Sequence, residues 1–307
     1  MTATGQRMGF VGVTTGSSSI MKVFPRWAEA LRLPTRVLVG HDIPVGADPQ
    51  CYRDVVRSIK ADPTHLGALV TTHKISVFDA ARDLFDDLDE LATTFGEISS
   101  IAKRGSRLTG AAKDPVTVRL ALDDFLPAYH FTATGAGALI LGSGGAGCAL
   151  SHQLGVRVDR PRTVVCTALS DEQLRHHRAL HERAGIDPDL VRYVRTTRPE
   201  DVDALLATLP PASLVVNATG MGKDRPGSPL TDAGRFPEQG VVWEFNYRGS
   251  LEFLHQARAQ QDERRLLVED GWRYFVHGWT EVIADVFEIP MPPETVEVLA
   301  RIAASAR

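Results

Sequence analysis

Ala138-Leu139-Ile140-Leu141-Gly142-Ser143-Gly144-Gly145-Ala146-Gly147 decides how this chain is read. An apolar run ends in Gly142-x-Gly144-x-x-Gly147, and the helix-compatible stretch Cys148–Leu154 follows. Strand, glycine turn and helix in that order suit a dinucleotide. Gly142 permits the sharp turn, Gly144 lets backbone N–H groups approach a pyrophosphate, and Gly147 lets the helix close on the strand. The pyrophosphate then meets the positive end of the helix. On this reading Gly142, Gly144, Gly145, Ala146 and Gly147 hold the cofactor; the competing reading is a glycine turn with a structural role alone.

Working outward, the turn opens a second series of βα units. Strands are expected at Leu139–Leu141, Thr163–Thr167, Val191–Val194, Leu214–Asn217 and Val241–Phe245, with helices at Gly147–Gly155, Asp171–Gly185 and Arg198–Thr208 between them. This is a Rossmann-like half. The first third of the chain alternates in the same way. Strands are expected at Met8–Val13, Thr35–Val39 and Leu66–Thr71, and helices at Met21–Leu31, Pro49–Lys60 and, once or twice, within Val77–Thr94. That order predicts a mostly parallel sheet. Ile98–Ile101 and Arg107–Thr109 flank Gly105 as a small hairpin, and Val116–Phe125, with Pro115 at its start, reads as a linking helix. From Trp272 the pattern is helical to the end, broken at Pro290–Pro293.

The 307 residues suit two domains. The expected fold is α/β, with a substrate domain at 1–114 completed by 271–307 and a dinucleotide domain at 125–268. Apolar residues make up 43% and charged residues 23%, which is ordinary for a globular protein, and the net charge of −4 gives no reason to expect nucleic acid or an anionic membrane as partner. No apolar run approaches the roughly 20 residues of a membrane helix. Met1–Met8 is short and polar, so no signal peptide and a cytoplasmic location are expected. Cys51, Cys148 and Cys166 are far apart and odd in number, which argues against a disulfide framework or a zinc site, so no metal is expected.

Candidate chemistry lies at strand ends. Strand Leu66–Thr71 runs into Thr72-His73-Lys74, and in open α/β sheets ligands sit outside the carboxyl ends of strands. A lysine there can exchange a proton with substrate if desolvation or a nearby positive charge lowers its pKa from about 10.4. The plainer reading is a solvated loop lysine. Asp114 precedes Pro115 at the expected hinge, where it suits a helix N-cap. Both of its roles hold together only if the carboxylate also reaches Lys74.

At this point the chain resembles the shikimate dehydrogenase family over nearly its whole length. Residues 12–21, Gly-Val-Thr-Thr-Gly-Ser-Ser-Ser-Ile-Met, are similar to the family's His-Ser-x-Ser-Pro substrate loop. Leu69-Val70-Thr71-Thr72-His73-Lys74 resembles Asn-Val-Thr-x-Pro-x-Lys, with its catalytic lysine. Phe95-Gly96-Glu97-Ile98-Ser99-Ser100 resembles Gly-Ala-Val-Asn-Thr, and Gly110-Ala111-Ala112-Lys113-Asp114 resembles Gly-x-Asn-Thr-Asp, whose aspartate partners the lysine. Val216-Asn217-Ala218-Thr219-Gly220-Met221-Gly222 is similar to Asn-Ala-Thr-x-x-Gly, and residues 269–278 to Asp-Gly-x-x-x-Leu-Val-x-Gln. Each motif alone is loose; six in the family's order and spacing are specific. The resemblance implies Lys74 and Asp114 as catalytic residues in a cleft between the domains. It implies Ser17, Ser18, Ser19, Thr71 and Ser99 as substrate contacts, to which His277 is added as a candidate from this chain's own residues. For the cofactor it adds Thr167, Asn217, Thr219, Gly222 and Tyr247.

The departures fall on the substrate shell. Without gaps, Ser17 stands at the family's His, Ser18 at its first Ser and Ile20 at its second; a one-residue gap uses Ser17 and Ser19 instead. Ala68 and Ser99 replace Asn, and Gly278 replaces Gln. Ile20, Ala68 and Gly278 each remove a polar partner, and an unpaired buried group costs about 1–3 kcal/mol. The expected substrate is therefore a quinate-, aminoshikimate- or cyclitol-like ring and not shikimate itself. His73 and His277 are new polar groups near the same segments. For the cofactor, Thr167-Ala168-Leu169-Ser170-Asp171 lacks the Asn-Arg-Thr of NADP-using members, although Arg175 and Arg178 could reach back from the next helix. NAD or NADP is expected, with a slight lean to NAD. The expected protein is an oxidoreductase acting on a small molecule as a monomer or homodimer. Two rivals remain: a methylene-tetrahydrofolate dehydrogenase-like enzyme, and an NAD(P)-binding regulator without catalysis.

Overall fold

The computed structural model describes residues 5–223 and 225–304. Part of the polar start at residues 1–8, and the helical expectation for residues 305–307, lie outside the described residues. The chain divides into two units. One runs through Lys113 and resumes at Val276; the other spans Asp114–Phe275.

The first unit holds a six-stranded sheet made of β1 (Arg7–Gly12), β2 (Leu38–Asp42), β3 (His65–Val70), β4 (Asp87–Leu88), β5 (Ser100–Arg104) and β6 (Arg107–Ala111). The order is β2-β1-β3-β5-β6-β4. β1 pairs in parallel with β2 and β3, whereas β5 is antiparallel to both β3 and β6. One face packs Val11, Ala68, Val70 and Ile101 against Tyr52, Val56 and Ile59 of helix Pro49–Ala61 and Val77 and Phe78 of helix Lys74–Ala81. Helix Pro293–Ala304 closes on helix Ile20–Ala30, where the Trp27 indole N–H donates to the Leu299 carbonyl over 2.8 Å.

Two local expectations shift here, and one open choice is resolved. The second strand lies three residues later than 35–39, because the Thr35 side chain turns the chain by accepting from Val37 N and donating to the Gln6 carbonyl. Of the one or two helices expected within residues 77–94, the structure has two, Lys74–Ala81 and Glu90–Phe95. The edge strand β4 intervenes, and Asp89 then caps helix Glu90–Phe95 through Ala92 N at 2.6 Å. The hairpin extends to Arg104 and Arg107, with Gly105 at φ +64° in its turn.

The second unit holds β7 (Ala138–Leu141), β8 (Val164–Ala168), β9 (Val191–Arg195), β10 (Leu214–Asn217), β11 (Val241–Glu244) and β12 (Leu267–Glu269), all parallel. The order β12-β11-β10-β7-β8-β9 is the doubly wound arrangement, and the direction of winding reverses between β7 and β10. The inner strands β7, β8, β10 and β11 are mostly apolar and buried throughout because both of their faces are covered. Ile140, Cys166, Val216 and Trp243 pack with Val118, Ala121 and Leu122 of helix Asp114–Asp123 and with Leu150 and Leu154 of helix Gly145–Val156. Leu139, Leu141, Val165 and Val215 turn to the other face, against Val202 and Leu206 of helix Pro199–Leu206 and Phe253 and Ala257 of helix Glu252–Ala259. The helix read as a linker is thus part of this core. Helix His130–Thr134, helix Glu252–Ala259 and β12 were not expected from the sequence.

Candidate active site

In the first unit, the carboxyl ends of β1, β3 and β6 and the start of β5 share one edge of the sheet. Residues 13–19 leave that edge after β1, Thr71 and Lys74 after β3, and Ser99 stands just before β5. β6 delivers the chain from the same edge to Lys113 and Asp114. Lys74 is half-buried at the first position of helix Lys74–Ala81, and its carbonyl accepts from Ile98 N over 3.1 Å. Asp114 is buried, at 7% exposure, and begins helix Asp114–Asp123 as part of the second unit.

The serine loop is held by Asp42 at the end of β2, which sequence reasoning missed. Its Oδ1 accepts from Thr15 N at 2.8 Å and from Thr15 Oγ1 at 2.5 Å. The hydroxyl bond, with the backbone bond behind it, holds the Asp42 carboxyl below the usual carboxylate range. Ser17 is exposed and donates to the Thr14 carbonyl; Ser18 and Ser19 are half-buried at the entry to helix Ile20–Ala30. Thr71 is half-buried beside Gly12 and donates its backbone N–H to the Val11 carbonyl. Ser99 is occupied by the backbone: its Oγ accepts from Lys113 N at 2.6 Å and approaches the Ala111 carbonyl at 3.4 Å. One lone pair remains, and the bond to Lys113 N steadies the residue before Asp114. His73 turns inward, with Nε2 2.7 Å from the Ile43 carbonyl. His277 is buried in helix Trp272–Phe287. Ile20 and Ala68, which stand where the resemblance places polar contacts, are fully buried apolar residues.

In the second unit, the glycine turn follows β7 at the point where the winding reverses. Gly142 has φ +103°, and a Cβ there would lie 2.8 Å from the Ala218 carbonyl oxygen. At Gly147 a Cβ would fall 2.0 Å from the Gly142 oxygen, so the helix sits against the turn only because the side chain is absent. A Cβ at Gly144 would meet nothing within 4 Å. Gly144 is exposed while Gly145 and Ala146 are half-buried at the start of a twelve-residue helix, leaving room for an anion against the backbone N–H groups. This cradle fits a pyrophosphate. Thr167 braces it, since its carbonyl accepts from Gly142 N at 3.2 Å.

The loop after β10 is built on a buried carboxylate that sequence reasoning also missed. Glu244, at 0% exposure, accepts from Asn217 Nδ2 at 2.6 Å and from Asn246 N and Nδ2 at 2.7 Å each. Asn217 Oδ1 accepts from Thr219 N and Oγ1, and Asn246 Nδ2 also donates to the Met221 carbonyl. Burial pushes the Glu244 carboxyl up to about 7 despite those bonds. Asn217 therefore shapes the 217–222 loop from within. The available signal was a charged residue inside the apolar run Val-Val-Trp-Glu-Phe. Gly222, at φ +84°, packs against Leu251, and Tyr247 is half-buried beside Phe275 and Trp272, with ring centroids 4.7 and 5.4 Å apart.

At the far end of β8, Leu169 is exposed and Ser170 caps helix Asp171–Arg183 through Gln173 N. Asp171 pairs with Arg195 at 3.6 Å, and Arg178 lies over the Tyr193 ring at 4.9 Å. Among the described residues, no group of three or more His, Cys, Asp or Glu is arranged to hold a metal ion, and no helix is long and apolar enough to cross a membrane.

No protein-family model matches the chain. The shikimate dehydrogenase (NADP(+)) of Symbiobacterium thermophilum is 29% identical over 219 residues, 69% of this chain and 68% of that protein. The enzyme of the same name from Streptococcus gordonii is 29% identical over 177 residues, 57% of this chain and 58% of that protein. The quinate dehydrogenase from Corynebacterium glutamicum, solved in complex with NAD, superposes with a TM-score of 0.74 over 98% of this chain and 99% of that one, at 18% identity. That likeness establishes a shared fold.

Proposed function

This chain belongs to the shikimate dehydrogenase family, and on that premise we propose that it is an NAD(P)-dependent dehydrogenase of a hydroxylated ring other than shikimate itself. The observation that carries the reading is the open glycine turn at the reversal point of a doubly wound sheet. Residues 142–147 hold the pyrophosphate, while the 217–222 loop and Tyr247 hold the rest of the dinucleotide. A dinucleotide held there would supply hydride chemistry at the substrate's carbinol carbon. Lys74 and Asp114 take and return the hydroxyl proton. Ser17, Ser18, Ser19, Thr71 and His277 orient the ring, and Ser99 does so through its remaining lone pair.

The substrate differs from shikimate because Ile20 and Ala68 are sealed in the core, where neither can be replaced by water as a polar partner. Quinate-, aminoshikimate- and cyclitol-like rings fit this altered shell better. The lean towards NAD rests on the lack of a basic residue in Leu169–Glu172, directly after β8, and on the Asp171 carboxylate standing there, 3.6 Å from Arg195. A cytoplasmic monomer or homodimer completes the reading.

A double-mutant cycle on turnover tests the catalytic pair. Lys74→Ala and Asp114→Asn should each lower kcat by roughly 10²–10⁴-fold. Dinucleotide affinity should stay near that of the wild type, and the two losses should be non-additive. Near-normal turnover in Lys74→Ala, or strict additivity, would show the pair to be misassigned.

A further inference from the structure

Behind the glycine turn lies a line of buried polar side chains that the proposed chemistry does not use. Ser143 faces inward at 8% exposure, while its neighbour Gly144 is exposed. Its Oγ is 3.0 Å from the Thr167 carbonyl oxygen and 2.9 Å from Nδ1 of His177. His177 Nε2 is 2.6 Å from Ser151 Oγ, which is 2.9 Å from His181 Nε2. His181 Nδ1 is 2.6 Å from the Tyr193 hydroxyl. A continuous run of hydrogen bonds thus joins β8, the turn, helix Gly145–Val156, helix Asp171–Arg183 and β9.

Burial holds both rings in the neutral form, with His177 down at about 3 and His181 at about 4. Neutral rings allow two hydrogen placements. In one, Ser143 donates to the Thr167 carbonyl, His177 Nδ1–H donates to Ser143, and Ser151 donates to His177 Nε2. In the other, Ser143 donates to His177 Nδ1, and Ser151 donates to the Cys148 carbonyl at 3.0 Å. His177 grips the Ser143 hydroxyl in both. On the outer side, a side chain at Gly144 would meet nothing within 4 Å. The turn is therefore anchored from the inside, by a bond placed where movement would misalign the backbone N–H groups.

We infer that His177 is a positioning residue for the dinucleotide: acting through Ser143, it fixes the turn at residues 142–147 so that its N–H groups are aligned before a diphosphate arrives. The inference rests on reading that turn as the dinucleotide site. Preorganisation lowers the ordering cost of binding. One lost hydrogen bond of ordinary strength corresponds to about a three- to tenfold rise in Kd.

The test is calorimetric titration with NAD+ and with NADP+, beside thermal melts, on the wild type, His177→Leu, His177→Asn and Ser151→Ala. The Asn amide occupies the place of Nδ1, so it keeps the bond to Ser143 and loses the one to Ser151. All three variants should melt earlier. His177→Leu should raise Kd about three- to tenfold, whereas His177→Asn and Ser151→Ala should stay within about twofold of wild type. An unchanged Kd in His177→Leu overturns the inference, and so does an equal rise in all three variants, which would mean a general loosening. If His177→Leu does not fold, Ser143→Ala carries the same predicted rise and an unchanged Kd there is equally fatal. A wild type that binds neither dinucleotide refutes the reading of the turn itself, a separate outcome.

Discussion

Replacing Gly147 with alanine sets two effects of known size against each other. A Cβ at this position would lie 2.0 Å from the Gly142 carbonyl oxygen and 3.1 Å from its carbon. A relaxed C···O contact needs about 3.3 Å, so turn and helix must part by ~1.3 Å. Neither moves freely. Gly142 is pinned by its N–H bond to Thr167, and helix Gly145–Val156 is buried from Gly147 through Gly155. Forcing an extra methyl into such packing costs about 1–3 kcal/mol. Alanine returns up to about 1 kcal/mol of helix propensity. With a contact as short as 2.0 Å the cost falls in the upper part of that range, ~2–3 kcal/mol, so overpacking wins with a net loss of ~1–2 kcal/mol. For a unit of this size that lowers Tm by roughly 2–8 °C. The displaced turn should also weaken dinucleotide binding at least about tenfold, or 1.4 kcal/mol. Scanning calorimetry and titration with NAD+ and NADP+ read both effects. A Gly147→Ala protein with the Tm and Kd of the wild type would refute the close-approach argument.

Gly144→Val separates binding from stability: its side chain enters open space, so Tm should hold while Kd rises at least about tenfold, and an unchanged titration would contradict the site. Glu244, raised to about 7 from 4.5, binds its proton more tightly in the fold than in the unfolded chain. Its contribution to stability is therefore full below 4.5 and is lost as pH rises to about 7. Glu244→Gln should remove that slope, at most about 1.4 kcal/mol per pH unit, from melts recorded across this range; an unaltered slope would count against the buried carboxyl. His65, His177 and His181 are depressed to about 4, 3 and 4 by burial. Their contribution is full above 6.5 and disappears as pH falls towards 4, and three such groups outweigh Glu244. Thermal stability should therefore fall between pH 6.5 and 4, and a flat Tm there would exclude neutral buried rings.

The fold was legible where tertiary burial leaves a local mark. β7 and β10 are covered on both faces, so residues 138–141 and 214–216 read as uninterrupted apolar runs, and the glycine turn marks itself by spacing. Elements stabilised from a distance left no such mark. Helix His130–Thr134 begins where Asp159, 28 residues on, accepts from Phe131 N. β12 is three residues long and exists by pairing with β11. The second strand was read too early because Gly40 weakens its apolar pattern. That glycine is required, since a Cβ there would lie 2.0 Å from Thr15 Oγ1. The site divides similarly. The sheet edge bearing Lys74 could be read from a strand ending in polar residues. Asp42, Glu244 and His177 each reach a partner 26 or more residues away, which no local spacing reveals.

The central claim is that this chain transfers hydride between a nicotinamide dinucleotide and a hydroxylated ring other than shikimate. The direct measurement is the appearance of reduced nicotinamide with NAD+ or NADP+ against shikimate, quinate, aminoshikimate and a set of cyclitols. The account predicts turnover of at least one ring other than shikimate, and kcat/KM for shikimate below the usual enzymatic range of about 10⁴–10⁸ M⁻¹s⁻¹. Shikimate turnover inside that range would contradict the altered pocket, and no reduction of either dinucleotide with any ring would contradict the dehydrogenase itself.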